Sequence, residues 1–281
     1  MRNNIGHRIK HNRFRIQVGQ KLQEIEKQIC VALGSYDFQV ELDVREPVST
    51  HKQPRAMCFN VLKNGKKLYF GKKINLLRTP DYNLNAGMKL LNGKNFIKKS
   101  INVYEKLKST NLTPEVKLVS DDILLFDYIN YPTLLSLANS PANIESLLAL
   151  TISGLRNLHH QGIVHLDPNW ANMFLIKAGQ SPIFIDFDRD LAEAQLSING
   201  SSIDFFKVYS ELFSSKFLVE FNVSNIEKLS QIFWSSLDRE EKFSFSSITR
   251  SHISILEPKL FEKPILQLAL NTLENEMNRK F

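Results

Sequence analysis

Residues 163 to 190 hold the polar side chains best suited to chemistry. His165, Asp167 and Asn172 lie between two apolar segments, and the second segment, Ser181 to Phe187, runs into Asp186-Phe187-Asp188-Arg189-Asp190. A carboxylate such as that of Asp167 can accept or orient the proton of an attacking hydroxyl. The oxygens of Asn172 and Asp186 are hard donors of the kind Mg²⁺ takes, and that ion neutralises a triphosphate. Read so, the stretch is built for phosphoryl transfer. The plain alternative is a polar β-turn between two core strands, with aspartates capping turns. A lone His-x-Asp would favour the turn. Here two motif pieces occur in order with room for a hairpin between them, and phosphoryl transfer is the better reading.

The whole chain sets bounds on that reading. At 281 residues and 43% hydrophobic content it suits one large domain or two lobes sharing a cleft, and the composition argues against global disorder. Cys30 and Cys58 match no metal-site spacing and make no disulfide framework, as in a reducing cytoplasm. No apolar run is long enough to span a bilayer. The basic start is followed by Gln, Lys and Glu instead of an apolar stretch, so no signal peptide is expected. Lys and Arg outnumber Asp and Glu by 36 to 29. That balance suits nucleotide phosphates, acidic lipid head groups or nucleic acid without choosing among them. Nothing beyond charge supports nucleic acid, and none is expected as a partner.

The elements that must position these residues follow in chain order. Arg2, Arg8, Lys10, Arg13 and Arg15 form a basic leader without acidic residues. Phe14, Val18, Leu22, Ile25, Ile29 and Leu33 then recur at helical spacing up to Gly34. This amphipathic helix either packs on its own domain or lies on an anionic membrane face. Residues 37–44, 55–62 and 67–74 read as strands, the last two joined by the hairpin signal Asn64-Gly65. Residues 81–109 read as mostly helical, in two pieces because of Gly87 and Gly93. Residues 115–118 and 122–129 read as two more strands. Beyond Thr133 the pattern is helical: 144–159, then 203–213 capped by Ser202 or Asp204, then 225–237, 243–254 and 264–278. No internal repeat is present.

The order His165-x-Asp167-x-x-x-x-Asn172, an apolar strand and then Asp186-Phe187 resembles the catalytic loop and metal-binding strand of the protein-kinase-like superfamily. The resemblance implies an α+β, two-lobed protein-kinase-like fold with a small antiparallel-sheet N-lobe and a helical C-lobe. Its parts would be a basic leader and helix over 1–35, the N-lobe over 36–129 and the C-lobe with the catalytic loop over 130–281. The hairpin around Asn64-Gly65 would supply the second and third strands. Phe70-Gly71-Lys72-Lys73 resembles the Val-Ala-Ile-Lys tetrad, so Gly71 would adjoin adenine and Lys73 would reach the phosphates. Alternatively Lys73 guards a strand edge, as Lys66, Lys67 and Lys72 are expected to do. Glu105 is the candidate to pair with that lysine, because it is the one acidic residue between Tyr82 and Pro114; a solvated surface glutamate is the other reading. Phe126, Tyr128 and Ile129 would present backbone groups to adenine.

By the same resemblance Asp167 is the catalytic base, Asn172 and Asp186 hold Mg²⁺, His165 bonds the loop backbone and Asp204 braces that loop. Asp188 either braces Arg189 or helps hold metal. ATP and Mg²⁺ are the implied cofactors. Departures from the Ser/Thr protein kinases narrow the class. Leu166 replaces an arginine, Asn169 stands at a lysine position, and no Ala-Pro-Glu follows Asp190. No glycine occurs between Asp37 and Cys58, so either Ser49 to Lys52 cradles phosphates or nucleotide binding is weak. Ile185-Asp186-Phe187-Asp188-Arg189 is similar to the lipopolysaccharide core sugar (Kdo/heptose) kinases, and the catalytic loop is also similar to that of aminoglycoside and choline phosphotransferases. These imply a cytoplasmic enzyme that phosphorylates a sugar hydroxyl on a glycolipid, with peripheral contact at the inner membrane. A small-molecule phosphotransferase and a non-catalytic pseudokinase are the alternatives.

Overall fold

The computed structural model describes residues 19–43, 56–76, 88–91, 93–138, 141–177, 179–191, 199–213, 223–248 and 264–278. Strands and helices take the following order. A first helix, α1 (residues 19 to 33), precedes β1 (Phe38–Leu42), β2 (Ala56–Lys63), β3 (Lys66–Ile74) and the short β4 (Met88–Leu90). Then come α2 (Gly93–Leu107), β5 (Val116–Ser120), β6 (Ile123–Asp127), α3 (Leu134–Leu137) and α4 (Pro141–His160). A 3-10 turn (Trp170–Asn172), β7 (Met173–Phe174), β8 (Ile183–Phe184) and β9 (Arg189–Leu191) follow. The remaining helices are α5 (Gly200–Leu212), α6 (Val223–Ser236), α7 (Arg239–Ser246) and α8 (Pro264–Asn278).

The fold is α+β, with the antiparallel sheet and the run of helices that the sequence pattern predicts. The chain divides into two compact units, one of residues 1–78, 93–101 and 115–128 and the other of 79–92, 102–114 and 129–281. The first unit is built on a five-stranded antiparallel sheet in the order β1-β2-β3-β6-β5. Asn64 and Gly65 turn β2 into β3 with φ of 53° and 74°, the left-handed pair that a two-residue hairpin needs. Cys58 to Leu62 on β2 and Ile123 to Phe126 on β6 are buried without alternation, so both sheet faces are covered. One face packs against α1. Ile25, Ile29 and Cys30 meet Phe59, Val61, Ile123 and Leu125 there. Burying Ile25 and Ile29 fully stabilises the unit by about 1.5–3 kcal/mol each. Glu26 adds a tether by accepting a hydrogen bond from the Val40 N–H of edge strand β1 at 2.9 Å. The apolar stripe of α1 is therefore used on its own sheet, which favours packing over membrane contact for this helix. The basic leader lies outside the described residues.

The second unit is mostly helical. In α4, Leu147, Leu148, Ile152, Leu155 and Leu158 are buried, and α5 is buried along nearly its whole length. Arg156 of α4 holds Glu241 of α7 in a two-pronged pair at 2.8 and 2.7 Å. The expected hairpin after the catalytic stretch exists as β7 against β8. Among the described residues no helix is long and apolar enough to cross a membrane.

Three expectations about elements fail. Met88 to Leu90 is a strand, not part of a helix, because it pairs with β9, and the helix starts only at Gly93. Helix α5 begins at Gly200, with Asn199 as its cap through Ser201 N–H, so neither Ser202 nor Asp204 caps it. The helix expected at 243–254 is α7, which starts earlier because Asp238 and Glu241 form a capping box; residues 249–254 lie outside the described ones.

Candidate active site

The loop carrying Asp167 is held from below by one carboxylate. Asp204, wholly buried on α5, accepts hydrogen bonds from the backbone N–H of His165 at 2.8 Å and of Leu166 at 2.6 Å, and it also meets His159 Nε2 at 2.9 Å. Leu166 has φ of 67°, a left-handed conformation that costs a non-glycine residue about 1–2 kcal/mol. The two bonds from Asp204 hold it there. His165 is buried and works from the side. Its Nε2–H donates to Ile185 O at 2.9 Å and its Nδ1 accepts from Asp167 N–H at 3.3 Å, which fixes one neutral tautomer. Burial pushes the pKa of His165 down, against the attraction of Asp204, Asp167 and Asp186. Its ring lies on Phe187 with centroids 4.5 Å apart. One imidazole thus ties the loop to the strand that ends in Asp186.

Asn172 makes the second tie. Its side-chain amide donates to Asp167 O at 3.2 Å, which leaves its carbonyl oxygen to act as a donor atom toward a cation, while its backbone O accepts from Ile185 N–H at 3.0 Å. Asp186 itself has φ of 69°, and its N–H donates to Tyr104 Oη at 3.3 Å. The ring of Tyr104 meets Phe187 edge to face. These bonds fix the backbones of Asp167, Asn172 and Asp186 relative to one another. Among the described residues no three His, Cys, Asp or Glu side chains converge as a dedicated metal cage. A carboxylate and an amide oxygen are a poor set for zinc but fit Mg²⁺, which takes one or two protein oxygens and fills its shell with phosphate and water.

The carboxylate of Asp167 has a partner that the sequence reading did not foresee. Arg189 Nη2 lies 2.8 Å from Asp167 Oδ2, and both side chains are 22% exposed. Asp188 contributes through its backbone, its carbonyl accepting from Leu91 N–H at 3.1 Å. Lys207, one turn beyond Asp204 on α5, is only 8% exposed. Burial first, then the nearby positive charge of Arg189, push its pKa down to about 8, against Asp167, Glu211 and Asp204. A signal for Lys207 was present: it is the single lysine in the apolar run Ile203-Asp-Phe-Phe-Lys-Val-Tyr209.

In the sheet unit the placement of the lysines differs from expectation. Residues paired across neighbouring strands share a face. Lys73 pairs with Ile123 and Met57, on the face that α1 covers, and its Nζ lies 2.8 Å from Asp122. Glu105 is exposed on α2. Lys72 has the opposite parity. Its Nζ lies 5.8 Å from the ring centroid of Phe96 on α2, and its ladder partners are Cys58 and Leu124. The lysine turned toward α2 is therefore Lys72, expected from the sequence to guard an edge. Gly71 adjoins no open space, because an added Cβ would sit 2.0 Å from Phe59 Cε2. Phe126 pairs with Phe70 on one side and Val116 on the other, and the Tyr128 N–H is taken, donating to Leu68 O at 2.9 Å. Of the three residues expected to face adenine, Ile129 alone lies past the last sheet bond. The stretch Ser49 to Lys52 lies outside the described residues.

No protein-family model and no curated protein matches the chain. Among solved structures it is similar to the Cydia pomonella granulovirus kinase PK-1, at 11% identity over 89% of this chain and 94% of that one, with a TM-score of 0.45. A likeness that distant decides nothing about chemistry, which rests on the side chains themselves.

Proposed function

We propose that the chain is an ATP-dependent phosphotransferase with an alcohol as acceptor. The observation that carries this is the mutual fixing of Asp167, Asn172 and Asp186 through the Asn172 amide, the Asn172 carbonyl and the His165 ring. Phosphoryl transfer asks a protein for positioning and charge stabilisation more than for covalent chemistry, and this loop supplies position. Asn172 and Asp186 would hold Mg²⁺, which supplies the charge that offsets the triphosphate. Asp167 would orient the acceptor hydroxyl and take its proton. Lys72 takes the phosphate-binding role in place of Lys73.

The acceptor we propose is a sugar hydroxyl, on a glycolipid of the lipopolysaccharide type. Two features support it. The run Asp186-Phe187-Asp188-Arg189 resembles that of the core sugar kinases. Only residues 192 to 199 separate β9 from α5, too few for a platform that holds an extended peptide. The test uses labelled ATP with glycolipids, soluble alcohols and protein as acceptors. Asp186→Asn should abolish transfer, and Asp167→Asn should slow it by roughly 10²–10⁴-fold with nucleotide binding nearly unchanged. Near-normal turnover in either variant would refute the assignment. Label in a soluble alcohol alone would replace the glycolipid by a small acceptor, and nucleotide binding without any transfer would make the chain a binding module.

A further inference from the structure

We propose, resting on the phosphotransferase reading, that Arg189 is the positioning residue for Asp167: its guanidinium holds one carboxylate oxygen and so aims the other at the acceptor hydroxyl. The backbone of Asp167 is already fixed, since its carbonyl accepts from Asn169 N–H at 2.7 Å and from the Asn172 amide at 3.2 Å. That leaves rotation of the side chain. The 2.8 Å contact with Arg189 Nη2 removes it. A pair that is four-fifths buried is less screened by water and salt than a surface pair.

Arg189 can act as a clamp because its own backbone is held. It lies on β9, opposite Leu90 of β4, and the neighbouring Asp188 carbonyl accepts from Leu91 N–H. The guanidinium therefore reaches Asp167 from a strand paired along its length. Lys207, buried on α5, places a second cation near the same carboxylate. Where the transition state is loose, alignment of the attacking oxygen matters more than the proton affinity of the base. Arg189 is thus assigned to geometry, not to contact with substrate.

The experiment is a double-mutant cycle on transfer from ATP. The variants are Arg189→Gln, Arg189→Lys, Asp167→Asn and each of the two Arg189 variants combined with Asp167→Asn. Arg189→Gln should lower kcat by up to about 10²-fold, the cost of a small misplacement, with KM for ATP unchanged. Arg189→Lys should recover part of kcat. Adding Arg189→Gln to Asp167→Asn should cost nothing further in kcat, because the clamp acts on the rate through Asp167. If the two losses multiply, Arg189 acts on substrate or fold and the proposal is wrong; an Arg189→Gln enzyme with normal kcat sinks it too. If Arg189→Gln fails to fold, the Arg189→Lys pair of rates decides: equal losses with and without Asp167 overturn the clamp. A wild type inert toward every acceptor removes the phosphotransferase reading itself, whereas an active wild type with multiplying losses removes the clamp alone.

Discussion

Asp204→Ala is the perturbation whose size follows most directly from the structure. The carboxylate is wholly buried and accepts from His165 N–H at 2.8 Å and Leu166 N–H at 2.6 Å. A hydrogen bond to a charged group contributes about 1.5–3 kcal/mol, so two give about 3–6 kcal/mol. Some of that is returned. Leu166 sits at φ of 67°, and a loop released from Asp204 can relax out of a conformation worth about 1–2 kcal/mol. The expected net loss is about 1–5 kcal/mol, set against the about 5–15 kcal/mol typical of a whole fold. Asp204→Asn keeps one acceptor oxygen but turns an amide toward the other N–H, so it should fall between the wild type and Asp204→Ala. Urea unfolding followed by tryptophan fluorescence measures the loss, and Trp170, buried in the turn that carries Asn172, reports on the loop. Hydrogen exchange at the amides of His165 and Leu166 locates it. If Asp204→Ala costs under about 1 kcal/mol and both amides stay protected, the loop holds itself and the reasoning is wrong.

Further outcomes are as definite. Lys72→Ala should weaken binding of a fluorescent ATP analogue about tenfold, one charged hydrogen bond, whereas Lys73→Ala should change it less than about twofold and instead cost about 1–3 kcal/mol of stability by breaking its part-buried pair with Asp122; the reverse ranking of ATP binding would restore Lys73. Gly71→Ala forces a Cβ to 2.0 Å from Phe59 Cε2 and should destabilise by about 1–3 kcal/mol, with Phe59→Leu relieving it; a neutral Gly71→Ala in urea unfolding would contradict this packing. Lys207→Met should stabilise the protein at neutral pH, because the buried ammonium is disfavoured by its surroundings. The sign follows from linkage. The folded chain gives up this proton near pH 8 and the unfolded chain near 10.5, so between those values the unfolded state binds more protons and wild-type stability rises with pH. The advantage of Lys207→Met is therefore full below pH 8 and shrinks toward pH 10.5, and urea midpoints at neutral and alkaline pH check it. A Lys207→Met protein less stable than wild type at neutral pH would mean that the ammonium's partners outweigh its burial.

Local patterns in the sequence corresponded to local structure. The pair Asn64-Gly65 needs left-handed backbone that few residues supply, so the hairpin was visible. The buried stripe of α4 repeats at helical spacing and was visible too. Residues 88–90 were misread because a strand of three residues has no period of its own; what makes it a strand is β9, far along the chain. The pairing of Arg189 with Asp167 depends on the same ladder and carries no sequence signal. Asp204 suits two sequence readings, a helix cap and, by the resemblance, a brace for the loop; burial on α5 gives it the loop amides and leaves the cap to Asn199.

The second lysine pair of β3 shows why a correctly placed strand leaves the choice of residue open. Lys72 and Lys73 are adjacent, so on a strand they point to opposite faces. The tetrad resemblance places a lysine at this point of β3, but in a run of two it cannot choose between faces. The choice needs to know which helix covers which face. Here α1, an element that precedes the sheet, takes the face of Phe59, Val61, Ile123 and Leu125. Lys73 belongs to that face, beside Asp122. Covering it with α1 leaves the other parity, Lys72 and Leu124, for α2. Spacing along the chain sets which residues alternate; the packing of a distant helix decides which of the two sets is covered by it and which is turned toward α2.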